Sequence, residues 1–347
     1  MQRFVEPILI PSAALLMSLL LFGVFILSVG ADPIGVFQSL YIGAFGSWFS
    51  WQNTLVRAAP LMLTALCTAL PARMGLIVIG GEGAVVVGGL NAAMTGIFLD
   101  GAAPFLVIGA MMMTGMLSGG LWIAAVGAMK FYRGVNETIS SLLLNYIAIA
   151  VLMFLVVGPL KDPATLNKPS TYPIGEANML GSMGETSIHW GLGIGVAVCL
   201  LLWFLMRRTT FGFAVDVAGG NLRAAQLAGL PVAHLLLLTF FLGGAAAGLA
   251  GMIEVAAVHG RANGSLNAGY GYAGILVAFL ARHNPLAIIP VAILLGGIRA
   301  ASGVLQRTHE LPDATALVLQ GIIFVVILAS EAFYGRWRFL RPREASA

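Results

Sequence analysis

Apolar residues dominate this chain in long continuous runs, with polar residues gathered in short stretches between them. Several runs exceed the roughly 20 residues that a helix needs to cross the hydrocarbon core of a bilayer. None alternates in and out as a barrel strand does, so the pattern predicts helices. The expected spans are 8–30, 53–70, 76–99, 103–128, 138–159, 190–206, 233–258, 270–281, 286–305 and 314–334. The eighth is too short to cross as a simple helix. It is preceded by Gly264, Gly269 and Gly271, which predicts a broken or partly re-entrant element. Residues 32–50 end at Trp48 and its neighbours and are expected to lie along the interface. The class expected is therefore an all-α polytopic membrane protein of about ten transmembrane helices, one short or broken, in a single transmembrane domain over 1–347. Two halves of about five spans, meeting near the long loop 161–189, would suit an inverted repeat.

Composition agrees. Hydrophobic residues make up 59% and charged residues 9%, where a soluble domain is about a quarter charged. The net charge of +4 is explained by where the basic residues fall, and nothing resembles a nucleic-acid module. With the N-terminus inside, cytoplasmic segments hold Arg3, Arg73, Lys130, Arg133, Arg207, Arg208, Arg223, Arg282, Arg336, Arg338, Arg341 and Arg343. The other side holds Lys161, Lys168, Arg261 and Arg307, and gathers Asp32, Asp100, Asp162, Glu176, Glu185, Glu310 and Asp313. That asymmetry places both termini in the cytoplasm. The first run is about twice the length of a signal-peptide core, which favours an uncleaved span. Cys67 and Cys199 sit inside apolar runs and read as small core residues.

The polar stretch 207–231 carries a local helix signature. Asn221 suits an N-cap, residues 222–228 are good helix formers, Gly229 suits the position after the last turn, and Pro231 forbids continuation. So short a helix is marginal in water, so a partner must hold it.

Chemistry-bearing motifs are sparse. No phosphate-cradling loop of the Gly-x-x-x-x-Gly-Lys type occurs, and the five histidines show no metal-ligand spacing. Polar groups within spans are costly and so draw attention. In GVNETISSLLLNYIA, Asn136 is placed to cap the fifth span and Glu137 suits its N-terminus. Ser141 and Asn145 share a face, with Asn145 ~13 Å along the helix from Asn136. Asn145 reads either as a group that bonds solute or as one that bonds a neighbouring helix. Glu82, within GLIVIGGEGA, reads as a carboxylate satisfied by backbone or arginine, or as part of the path or gate. Arg57 and Arg299 are candidate partners for Glu82 or Glu254. Gly244 and Gly248 form a small-xxx-small face. Beyond them Glu254, His259, Arg261 and Asn263 cluster at the outer end, where an outer gate or an ordinary solvated loop would fit. The loop 161–189 reads as a plain surface loop or as a cap that meets a delivery protein.

At these residues the chain resembles a known family. GVNETISSLLLNYIA, GLIVIGGEGA, GGNLRAAQLAGL and EVAAVHGRANGSLNAGYGYAGILVAFLARHNP together are similar to permease subunits of bacterial ABC importers for nucleosides and simple sugars. That family groups with the ribose and branched-chain amino-acid permeases. The resemblance implies a subunit of the bacterial cytoplasmic membrane that pairs with a second permease, identical or related. Further partners would be two cytoplasmic ATPases, which bind the ATP and magnesium, and an external substrate-binding protein. No cofactor or metal is implied for this chain itself, and no catalytic residue. It assigns ATPase coupling to Gly220, Asn221, Leu222, Arg223, Ala224, Ala225, Gln226, Leu227, Ala228, Gly229 and Leu230. It places Asn145 on a helix lining the path, with Ser141, Glu82, Glu254 and His259 as further path candidates. Val78 and Ala84 stand where the family usually has Asn and Gln, which bears on the substrate. Leu222 and Gln226 stand where Pro and Arg are common, which bears on the ATPase fit. A branched-chain amino acid would want a dry pocket, and an ion-coupled secondary transporter would want buried carboxylates.

Overall fold

The computed structural model describes residues 2–165 and 167–331, with side chains described from residue 12. Arg336, Arg338, Arg341, Arg343 and the end of the last expected span lie outside the described residues. Among the described residues the regular structure is helical, apart from isolated bridges pairing Ser170 with Asn263 and Ser182 with His189. The α-helices are α1 (Gln2–Ser28), α2 (Pro33–Phe45), α3 (Trp48–Ala72), α4 (Gly81–Phe98), α5 (Pro104–Arg133), α6 (Glu137–Val157), α7 (Gly191–Arg208), α8 (Thr210–Gly220), α9 (Leu222–Leu227), α10 (Val232–Ile253), α11 (Tyr270–Leu280), α12 (Pro285–His309) and α13 (Ala314–Glu331). Six helical stretches among them are long and apolar enough to cross a membrane, α3, α5, α6, α7, α10 with its extension, and α12. Apolar stretches of α1, α2 and α13 are shorter.

The expected spans reappear with shifted ends. The run starting at residue 76 becomes helical only at Gly81, and residues 32–50 contain a helix, α2. Asp32 starts α2 by accepting from the Ile34 and Gly35 amides, with Pro33 in its first turn. The chain divides into two compact units, residues 1–50 with 298–347, and residues 51–297. In the first, α1 lies along α13, Phe22 packs against Phe37, and the Ser39 hydroxyl lies 2.9 Å from His309 Nε2.

In the second unit α4, α5 and α10 form the centre. Gly88 of α4 meets Gly248 of α10, which in turn meets Gly115 and Gly119 of α5, and Gly251 lies on the Val85 carbonyl. A methyl group on Gly248 would run into the Gly115 carbonyl. In lipid there is no water to squeeze out between helices, so close backbone contact of this kind supplies the attraction. The α5–α6 joint is built from local signals. Gly134 takes a left-handed conformation after α5 (φ 68°), Asn136 Oδ1 accepts from the Ile139 amide at 3.0 Å, and Lys130 pairs with Glu137 at 2.7 Å.

Candidate functional site

Between α3 and α4 the chain crosses a stretch with no helix. Gly75 turns it (φ 72°), residues 76–79 have no regular structure, and Gly80 turns the chain into α4. Backbone groups without helical partners are costly in an apolar setting, and side chains from two helices, α3 and α6, meet them here. Thr68 donates to the Val78 carbonyl at 3.1 Å and Thr138 to that of Ile77 at 2.9 Å. Ser141 accepts from the Ile79 amide at 3.1 Å, and Asn145 Nδ2 donates to the Ile79 carbonyl at 2.9 Å. Asn145 Oδ1 also accepts from the Gly83 amide at 2.7 Å. Thr138, Ser141 and Asn145 are spaced three and four apart, so one face of α6 presents all three.

Glu82 stands in the first turn of α4 and is fully buried. Its carboxylate accepts from the Gly269 amide at 2.7 Å and the Gly271 amide at 2.6 Å, at the start of α11. Two helix N-termini, each equivalent to roughly half a positive charge, therefore bear on one carboxylate, and charge-assisted bonds of this length are strong. The 11 residues of α11 extend about 16 Å, half the hydrocarbon core. The approach is so close that a side chain on Gly271 would collide with the Glu82 backbone. Thr64 adds a bond to the Tyr270 carbonyl at 3.0 Å.

Glu82, Ser141 and Asn145 thus come together in one polar knot that ties α3, α4, α6 and α11. Sequence reasoning missed Tyr272, whose hydroxyl lies 3.4 Å from Asn145 Nδ2. It is 38% exposed, and Tyr146, next to Asn145, is 61% exposed. The doubled Gly-Tyr of 269–272 was the available signal.

Glu254 and His259 form a second cluster. The helix α10 continues into a wider π-helical turn, Glu254–His259, before Gly260 ends it in the left-handed region (φ 64°). Glu254 is buried, and its carboxylate lies 3.6 Å from His259 Nε2. The loop 161–189 folds onto this end. The Leu180 amide donates to the Ala256 carbonyl at 2.7 Å, that of Thr171 to Ala262 at 2.9 Å and that of Ile174 to Gly260 at 2.9 Å. Arg261 donates to Ser170 at 3.2 Å and lies 3.6 Å from Asp162. Arg261 and Asn263, whose Oδ1 accepts from Ser265, therefore serve the joint between loop and helix.

The stretch 207–231 holds two helices where the sequence predicted one. After α7, Thr209 opens α8, and Asn221, extended, separates α8 from α9. Asn221 Oδ1 accepts from the Ala224 amide at 3.0 Å. Gly229 is left-handed (φ 82°) and its amide bonds the Gln226 carbonyl, while that of Leu230 bonds Ala225. Of α9 only Ala225 is buried, and Leu227 is 86% exposed. Upstream, Asp216 of α8 takes both arms of the Arg73 guanidinium, at 2.9 Å and 2.6 Å, and Gly219 lies against the Arg73 carbonyl.

A model of the family described as "Branched-chain amino acid transport system / permease component" matches residues 50–328. The chain belongs to this family. The permease is 28% identical over 340 residues to the glucose ABC transporter permease protein TsgB13 of Haloferax volcanii, covering 94% of this chain and 88% of that one. It is 27% identical over 344 residues to the guanosine ABC transporter permease protein NupP of Bacillus subtilis, covering 96% of both. It is 25% identical over 335 residues to the nucleoside ABC transporter permease protein NupB of Lactococcus lactis subsp. cremoris, covering 94% and 92%. With its apolar helices, the permease is a multi-pass membrane protein.

Proposed function

We propose that this permease is the membrane subunit of an ATP-driven importer that passes a nucleoside to the cytoplasm by alternating access. It works with two cytoplasmic ATPases, a second permease subunit and an external binding protein, in a bacterial inner membrane with both termini inside. The observation that carries this reading is α9. A short, doubly capped helix that leaves Leu227 bare in a polar turn is built to seat on another protein. The Arg73–Asp216 fork joins α8, next to it, to the residues that lead into the non-helical stretch 76–80. Displacement of α9 by the ATPases would thus reach the polar knot, and with it the helices around the path.

Substrate class follows from Glu82. In transporters a half-helix N-terminus is where an anionic solute group is received, and here the protein's own carboxylate fills it. A neutral solute is favoured over an amino acid. Tyr272 and Tyr146, exposed beside Asn145, offer rings for stacking and a hydroxyl for bonding, which suits a nucleoside. Asn145 acts through Tyr272 and the non-helical stretch, and the Glu254–His259 pair sits at the end where solute would enter. The guanosine and nucleoside relatives support this choice, and the glucose relative supports a simple sugar as the second reading. The test is uptake into vesicles holding the complex isolated through a tag on this chain. ATP-dependent uptake of labelled guanosine, unaffected by excess valine, is the expected result. Uptake by the chain alone under an ion gradient, or competition by valine, would overturn the proposal.

A further inference from the structure

A cleft of about 510 Å³ opens where α3 and α7 end and α12 begins, with Arg73, Trp203, Arg207, Arg282, His283 and Asn284 in its wall. Among the described residues no Asp or Glu lines it. Asp216, which pairs with Arg73, is not one of the wall residues, and Arg207 makes no ion pair among the described residues. The turn that delivers Arg282 and His283 is an unusual one. Both residues are left-handed (φ 50° and 56°), a conformation that costs a side-chain-bearing residue energy and persists where the surroundings enforce it. The His283 amide bonds the Ala278 carbonyl at 2.8 Å, and its ring packs edge-on to Phe279 at 4.9 Å. Its Nδ1 is buried with no hydrogen-bond partner. Burial, and then the Arg282 charge, hold the imidazole below its usual range, so arginines and the N-terminus of α12 supply the positive field.

The apolar side of the cleft sets what kind of anion fits. Trp203 belongs at a membrane–water boundary, and Arg208 lies 6.0 Å over its ring. Phe204 next to Trp203, and Leu200 and Leu201 a turn further back along α7, are exposed, forming an apolar strip that continues from the cleft toward the hydrocarbon. We propose that this cleft holds the phosphodiester headgroup of an anionic phospholipid, with its acyl chains along that strip of α7. Basic pockets between membrane helices recognise such headgroups by charge. Only the leaflet, the cytoplasmic one, rests on the orientation given above.

The test is lipid retention by the complex, read by native mass spectrometry after purification from vesicles of mixed phosphatidylglycerol and phosphatidylcholine. Neither nucleotide nor uptake is needed, so failure here is separate from failure of the transport reading. The wild type should retain phosphatidylglycerol in preference. The double variant R207Q/R282Q should lose that preference by roughly 25-fold, at about fivefold per arginine. R133Q removes the same charge from the exposed end of α5 and should leave the preference intact. Arg207 is also exposed, so R207Q alone keeps the fold and should show its single fivefold share. Equal retention in the double variant, or an equal loss in R133Q, would overturn the site. Binding of inorganic phosphate alone, abolished by R207Q/R282Q without any lipid preference in the wild type, would overturn the lipid assignment.

Discussion

The polar knot around Glu82 and the turn at α9 are both made of polar residues at helix ends, yet they solve opposite problems. In the knot, Glu82, Ser141 and Asn145 are fully buried and bond the backbone of Ile79, Gly83, Gly269 and Gly271, far from them in the chain. In α9 the Asn221 side chain and the Gly229 amide bond their own turn, and Arg223, Ala224, Gln226 and Leu227 are exposed. The first region is fixed by its surroundings, and the second is complete in itself. On the proposed reading, a short helix that holds its own shape while touching little is a handle. A broken stretch tied by side chains of α3 and α6 is what that handle would pull against.

Changes at the welded centre should therefore cost stability, and changes at α9 should cost transport alone. The largest loss is expected for Gly248→Leu, which would force α10 off α5 and α4. About 3 kcal/mol or more is expected, read as loss of monodisperse protein in size-exclusion chromatography. Next comes Glu82→Ala, which strands the Gly269 and Gly271 amides without water. At about 1–3 kcal/mol for each buried unpaired group, melting should fall sharply, with Glu82→Gln between the two. Equal melting of all three proteins would remove Glu82 from the knot. Asn145→Ala deletes bonds between helices that average about 0.6 kcal/mol each in membrane proteins. A loss of about 2 kcal/mol is expected, with uptake falling alongside as the non-helical stretch loosens. Smallest on stability is Arg223→Glu, an exposed change expected within about 0.5 kcal/mol. It should nonetheless lower ATP-driven uptake in the reconstituted complex. Unaltered uptake would break the contrast between the two regions.

What could be read from sequence follows the same division. Caps are local, so Asn136, Asn221 and Gly229 announced themselves within four residues of the groups they serve. The short α11 was legible because its glycines interrupt an apolar run. The non-helical stretch 76–80 was not, since Leu-Ile-Val-Ile has the composition of any span and only distant hydroxyls and amides make it viable as non-helix. Glu82 stood out as a buried acid, but its partners lie 187 and 189 positions away, beyond any local pattern. The helix α8, which ends in two glycines, was not predicted, and its Asp216 gave no hint of Arg73. The glycine face of α10 was visible, and which helices it met was not.

The claim on which all this turns is that α9 seats on an ATPase. Both native cysteines are buried, so a cysteine placed at Leu227→Cys is the accessible one. A short thiol-directed crosslinker applied to the assembled complex should join this permease to its ATPase subunit through that position, with a yield that changes between ATP-bound and nucleotide-free states. Crosslinking to no subunit, or labelling of the same cysteine by an impermeant reagent added outside intact cells, would contradict the account.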